Sequence, residues 1–462
     1  MTAVNQLGTE SVPGLLLKFS VPAIVGMVIS ALYNVVDRIF IGNSPELGHL
    51  GLAGISISFP IMILVLALGV LFGTGGATLF SIRLGEKKQE EAEQAMGNAF
   101  MLMVVTGLLF TILGEIFLKP VLILFGASEA VLPYALDYMR LIFIGSTFQI
   151  IGIGMNNFVR ADGRPKFAMV TMFFSAGLNI VLDPIFIFGF KMGMAGAALA
   201  TIIAQAVGAI WIIYYFTSRH SQCKLRIKYF SFKPALSYKI ISLGLPGFLL
   251  QFANSILNVV LNKNLLIYGG DIAVSGMGII NSLQTLLMLP VVGLKQGMLP
   301  IISFNYGARQ FQRVKKTVLI SIAAATAIVV LGFLIINLIP ELLISIFNRD
   351  PELLAFSTRA LKTWFLCMPV VGSQIISANY FQAIGKPYSA TFLTLTRQVI
   401  LLIPAVIIFP RFWEMEGILF AAPFADFFSA FLTGLWFFLG IKQLDRKSLS
   451  DEKKSQTSQM RV

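Results

Sequence analysis

Long apolar stretches, separated by short clusters of charge, glycine and proline, run along almost the whole chain. A bilayer core takes about 20 apolar residues per helical crossing. Twelve stretches are long enough: 15–42, 50–83, 95–118, 131–160, 166–190, 193–216, 240–268, 272–306, 317–346, 356–384, 388–410 and 417–441. Segments such as Ile61 to Leu71 are apolar on every side. A membrane-spanning strand would instead alternate polar and apolar residues over roughly ten positions. The expected fold class is therefore an all-α integral membrane protein of about twelve transmembrane helices. Nothing after the first apolar stretch has the short core and small-residue pattern of a cleavage site, so Leu15 to Ile41 is read as a retained crossing.

Composition agrees with the pattern. Of 462 residues, 56% are hydrophobic and 12% charged, whereas soluble domains carry about a quarter charged residues. The formal net charge of +13 is spread over particular loops and not along one stripe, which argues against nucleic acid as a partner. Bases follow each even-numbered stretch, for example Arg83, Lys87 and Lys88, or Arg309, Arg313, Lys315 and Lys316. The opposite loops hold Glu46, Glu129, Asp271, Asp350 and Glu414. By the positive-inside rule both termini are expected in the cytoplasm of a multi-pass protein of the cell (inner or plasma) membrane. Cys223 and Cys367 suggest neither a disulfide nor a metal pair.

The chain also repeats itself. An offset of about 224 residues lays Pro22 over Pro246 and Asn34 over Asn258. At about 222 residues, Gly75 meets Gly297, Gly85 meets Gly307, Asn157 meets Asn379, and Gly163-Arg164-Pro165 meets Gly385-Lys386-Pro387. The expected domains are an amino-terminal lobe (1–216), a basic cytoplasmic linker (217–239), a carboxy-terminal lobe (240–441) and a tail (442–462). Two six-helix halves starting on the same side are parallel repeats, an architecture in which substrates commonly pass at the repeat interface.

Ionisable groups at membrane depth are functional candidates, since each costs about 2.5–3.5 kcal/mol on the insertion scale. Counting back from Gly42 at 1.5 Å per residue puts Asp37 about 7 Å inside the outer end of the first helix. Asp183 lies roughly 25 Å above the inner end of the fifth, and Thr201 about 12 Å below the outer surface on the sixth. Asn179 precedes Asp183 by one turn and shares its face. These oxygens suit either a hard cation such as sodium or a proton shared between two carboxyls. The competing reading makes Asp183 a cap on a Pro184 kink. Arg397 and Asp426 each lie about 14 Å from their membrane surface on the last two helices, a depth that invites an intramembrane pair. The repeat sets Ser175 and Gln205 opposite them.

With these residues in view, the chain resembles the multidrug and toxic compound extrusion (MATE) transporters. The resemblance rests on Pro22, the run Asn34-Val35-Val36-Asp37-Arg38-Ile39-Phe40-Ile41-Gly42, Arg83-Leu84-Gly85, Ala161-Asp162-Gly163-Arg164-Pro165, Asn179 with Asp183-Pro184, and Gly196 to Thr201. It implies export of amphipathic or cationic small molecules, antiport coupled to protons or sodium, and a coupling-ion site at Asp37, Asn179, Asp183 and Thr201. Where some members carry an acid on the seventh helix, this chain has Gln251, Asn254, Asn258 and Asn262. That departure puts a second coupling site in doubt and resembles the DinF-like and MepA-like branches. The three asparagines form one stripe that lines the cavity or stitches helices together. Tyr33, Gln149, Gln251, Asn258 and Gln284 are the candidate lining of the substrate cavity. No cofactor beyond a coupling Na+, no covalent chemistry and no enzyme constellation is expected, and the chain is taken as a monomer in the lipid bilayer. The alternative is a flippase for a polyprenyl-linked saccharide or other lipid.

Overall fold

A computed structural model describes the main chain of residues 3–44 and 47–459, and the side chains of 6–44 and 47–451. Glu46, one of the outer-loop acids, lies outside the described residues, as do the last three residues of the tail. Among the described residues there is no strand.

The first half consists of α1 (Val12–Gly42), α2 (Gly48–Gly85), α3 (Gln89–Leu124), α4 (Leu132–Ala161), α5 (Pro165–Pro184, continuing as a π-turn over Ile185–Gly189) and α6 (Gly193–Thr217). A single helical run, Pro234–Gly307, then breaks at Gly270, where the backbone turns to φ 63°, giving α7 (234–269) and α8 (271–307). The remaining helices are α9 (Phe311–Leu338, followed by a short helical piece Pro340–Ser345), α10 in two pieces (Pro351–Trp364 and Met368–Ala383), α11 (387–408, with a π-turn over Thr396–Leu402) and α12 (Pro410–Gln459, kinked at Trp413 and Glu414). Among the described residues, ten helices are long and apolar enough to cross a membrane. Dividing the 74-residue run at Gly270 and counting the broken α10 brings this to the twelve crossings expected.

Helix boundaries follow the local chemistry. Pro165, Pro351 and Pro387 open their helices, where a missing N–H costs nothing. Asp350 caps α10 by accepting from the Leu353 amide. The expected ninth stretch, 317–346, is cut at Leu338 because Pro340 cannot continue the helix.

By packing, the chain forms two compact units. One comprises Met1–Thr9 and Val21–Phe248, the other Glu10–Ser20 and Leu249–Val462. The basic segment 217–239 thus folds within the first unit, and the first residues of α1, up to Ser20, within the second. In the first unit α4 is central, packed on α2, α3 and α6; in the second, α10 packs on α9 and α12. Small residues let backbones meet at equivalent places. A Cβ on Gly196 would strike the Phe186 backbone, and one on Gly417 the Phe409 backbone. The repeat extends to turn stereochemistry: positive φ recurs at Gly48 and Gly270, Lys87 and Arg309, Gly163 and Gly385, and Lys191 and Glu414.

Candidate functional site

The candidate coupling site belongs to the first unit. Asp37, Asn179, Asp183 and Thr201 are all buried, with relative exposures of 8%, 2%, 0% and 6%. The Asn179 amide donates to Asp183 Oδ1 (3.3 Å) and to Thr201 Oγ1 (3.4 Å), binding α5 to α6. The Thr201 hydroxyl gives its own proton to the Ala197 carbonyl (3.0 Å), so its oxygen faces the amide as an acceptor. Pro184 supplies no backbone N–H, and the helix opens into the π-turn immediately after it, at Ile185.

Three oxygens of this group, Asp37 Oδ1, Asn179 Oδ1 and Asp183 Oδ2, are buried with no hydrogen-bond donor. Asp37 lies within electrostatic reach of Asp183. Arg38 does not screen it by pairing: its guanidinium stands over the Phe59 ring, 5.6 Å from the centroid. Two neighbouring buried carboxylates, with Arg38 near Asp37 but not salt-bridged to it, are unfavourable unless a cation or proton offsets their charge. Tyr138 of α4, itself buried, lies within electrostatic reach of Asp37, Tyr33 and Asp183, and its hydroxyl points to Met62 Sδ at 4.0 Å. Sequence reasoning missed it. Its signal was depth, since it sits six residues into α4, about 9 Å from that end and level with Asp37.

The proposed cavity lining is drawn from both units. Half-buried Tyr33 and Gln149 belong to the first unit; Gln251, Asn258 and Gln284 belong to the second, with Asn258 exposed. Within the second unit, Arg397 Nε donates to Asp426 Oδ1, and Arg397 Nη1 to Gln398 Oε1 at 3.2 Å. Gln398 in turn donates to Asn254 Oδ1 (2.6 Å), and the Trp364 indole to Gln284 Oε1 (3.4 Å). Of the asparagine stripe, only Asn254 enters this network; Asn258 and Asn262 are exposed. Lys295, twelve residues before the end of α8 and so about 18 Å deep, is a further intramembrane base that the sequence reading passed over.

A second polar cluster, also unforeseen, lies where the basic segment meets the first unit. Buried Asp162 accepts from the Tyr215 hydroxyl (2.7 Å) and the Gln222 amide (3.3 Å). Buried Glu93 accepts from the Lys224 amide and the Arg226 guanidinium, both at 3.1 Å. Asn98 donates to the Ser231 carbonyl (2.7 Å) and accepts from Ser237 (2.9 Å). The segment is a strap fastened to α3, α4 and α6, and its own Cys223 is buried.

Against this geometry, a profile of the MatE family matches residues 22–185 and again 246–407, one copy in each half. The multidrug export protein MepA of Staphylococcus haemolyticus is 27% identical over 417 residues, covering 90% of this chain and 91% of the relative. Among solved structures, the MATE multidrug transporter DinF-BH is 38% identical, with a TM-score of 0.87 over 93% of this chain and 96% of that one. A MATE structure in a bent conformation, at 24% identity, shares the fold with a TM-score of 0.91 over 97% and 99% of the two chains.

Proposed function

The chain belongs to the MatE family, and on that premise we propose that it is a multidrug exporter: it carries amphipathic or cationic compounds outward by alternating access while protons or sodium ions flow inward. The observation that carries this reading is the set of three donorless oxygens at Asp37, Asn179 and Asp183, beside the Thr201 hydroxyl. An oxygen-only group of this kind holds a hard monovalent cation or takes up a proton. Relatives whose names describe multidrug export favour a drug over a lipid-linked saccharide as cargo.

In the proposed cycle, cation occupancy removes net negative charge from the pocket and lets α1 repack, and a cationic substrate binds better once the carboxylates are free. The two ligands thus oppose each other through a shared electrostatic balance, and each lowers the other's affinity by the same factor. Loop charge favours a cytoplasmic position for both termini in this cycle. The test is transport in proteoliposomes with a proton gradient and a sodium gradient imposed separately, following a fluorescent organic cation. Concentrative dye movement driven by one gradient is the expected result. Dye that only equilibrates under both gradients overturns the coupled reading.

A further inference from the structure

Between Ser218 and Lys239 the strap carries the bases Arg219, Lys224, Arg226, Lys228, Lys233 and Lys239 and no acid. Of these, Arg226 meets the Glu93 carboxylate at 3.1 Å. Lys233 is bonded to the neutral Gln94 side chain at 3.1 Å, and Lys228 stands over the Tyr229 ring, 4.5 Å from its centroid. Base clusters at the ends of other even-numbered helices are answered by acids. Arg83 and Lys88 pair with Glu86 and Glu91, Lys315 with Asp445, and Arg309 with Asp451. In the strap, Arg219, Lys224, Lys228 and Lys239 are exposed, and among the described residues none of the four is paired with a carboxylate. The nearby acids of α3 are already engaged, since Glu90 accepts from the Tyr229 hydroxyl (2.9 Å) and Glu93 from Arg226 and the Lys224 amide.

The outward face is also apolar. Ile227 is 83% exposed and Phe232 63%, whereas Cys223, Leu225 and Tyr229 are buried against the first unit. From Cys223 to Arg226 buried and exposed residues alternate, as they do in an extended segment with one face on protein. The inner face is pinned, with the Phe230 ring on Phe100 at 5.1 Å between centroids and Asn98 bonded to the Ser231 carbonyl. The outer face is therefore a fixed surface and not a loose charged run. A merely solvated surface would account for the lysines but not for Ile227 and Phe232, which gain by leaving water. The chain leaves α6 at Thr217 and enters α7 at Pro234, both helices being long and apolar enough to span a bilayer, so the strap stays within a few residues of the membrane surface. Apolar side chains interspersed with lysines suit the headgroup boundary, and bases held there attract anionic lipid.

We propose that the outer face of the strap is a docking surface for anionic phospholipids, with Lys224, Lys228 and Lys239 on the headgroup phosphates and Ile227 and Phe232 seated at the top of the acyl chains. It does not depend on what the protein carries or on the coupling ion. The test uses the full chain bearing Ile227→Cys, labelled with a bimane maleimide, in phosphatidylcholine nanodiscs. These are doped with equal amounts of either phosphatidylglycerol or phosphatidylcholine carrying a nitroxide near the headgroup end of one acyl chain. Cys223 is buried, and the chain without Ile227→Cys gives the labelling background. Quenching by the phosphatidylglycerol probe is expected to be about fivefold stronger, the preference that one base near an anionic surface is enough to give. Lys224→Gln with Lys228→Gln and Lys239→Gln, which removes charge and keeps length, is expected to bring the two lipids within about twofold of each other. Raising salt to about 1 M should do the same without those substitutions, and decides the matter if the triple variant fails to fold. Equal quenching by both lipids at low salt, quenching by neither, or a preference that survives loss of the three lysines or high salt overturns the proposal.

Discussion

At Asp183, asparagine would keep the volume of the side chain and remove its capacity to take a charge. Asp37→Asn and Asp183→Asn are therefore each expected to reduce gradient-driven export to the background of empty liposomes at wild-type protein levels. Wild-type export in both would dismiss the coupling role. Asn179→Ala and Thr201→Ala remove one neutral oxygen and leave both carboxyls, and a net contact of about 1 kcal/mol corresponds to a roughly fivefold weaker apparent ion affinity. An ion-concentration series of initial rates measures it. For the second unit, Arg397→Ala leaves Asp426 buried without a partner, which costs about 3–5 kcal/mol. Adding Asp426→Ala is expected to recover part of that loss in thermal stability, and a double variant no better than the worse single would deny direct coupling. These groups were legible because helix rise converts chain position into depth, so carboxyls 146 positions apart could be set at one level. Tyr138 was equally deep but was passed over, because the count was made only for charged groups and their oxygen neighbours.

At the scale of elements, the strap over residues 218–233 is the main departure from expectation. Its charge makes it read as a basic cytoplasmic linker, and its partners are Glu93 and Asn98 on α3 and Asp162 after α4. Periodicity within a segment cannot reveal partners 60 to 133 residues away. Burial raises the Asp162 carboxyl from 3.8 to about 6, against the lowering pull of the Tyr215 hydroxyl and the Gln222 and Cys223 amides. A carboxyl raised by folding holds its proton more tightly in the fastened strap than in the opened one. Its contribution is full below about pH 4 and is lost as pH rises through about 6. Hydrogen exchange at the Gln222 and Cys223 amides, corrected for intrinsic rates, should show opening at least about tenfold more populated at pH 7.5 than at pH 5. Asp162→Asn should abolish that dependence. A wild-type opening equilibrium flat across this range would contradict it.

For the whole molecule, the tandem repeat organises everything from the two family-profile matches to the paired left-handed turns at Lys87 and Arg309. The offset was visible in the sequence because turn glycines and prolines survive where packing and φ leave few substitutes. The division at Phe248 was not visible, since hydropathy runs unbroken through α7 while the packing partner changes. Orientation rests on loop charge and has its own check. Ser450→Cys, in the tail, is expected to react with an impermeant maleimide only after permeabilisation, and Ser128→Cys, between α3 and α4, in intact cells. Cys223 should not interfere, because it is buried and burial, with Asp162 and Glu93 nearby, pushes its thiol well up. The central claim is that ion and substrate movements are bound together at Asp37 and Asp183. It is tested most directly by loading proteoliposomes with a fluorescent organic cation, imposing no ion gradient, and recording proton and sodium flux as the dye gradient runs down. Counterflow of one of these cations is expected in wild-type protein and none in Asp183→Asn; dye movement without counterflow in the wild type, or counterflow undiminished in Asp183→Asn, would contradict coupling at this site.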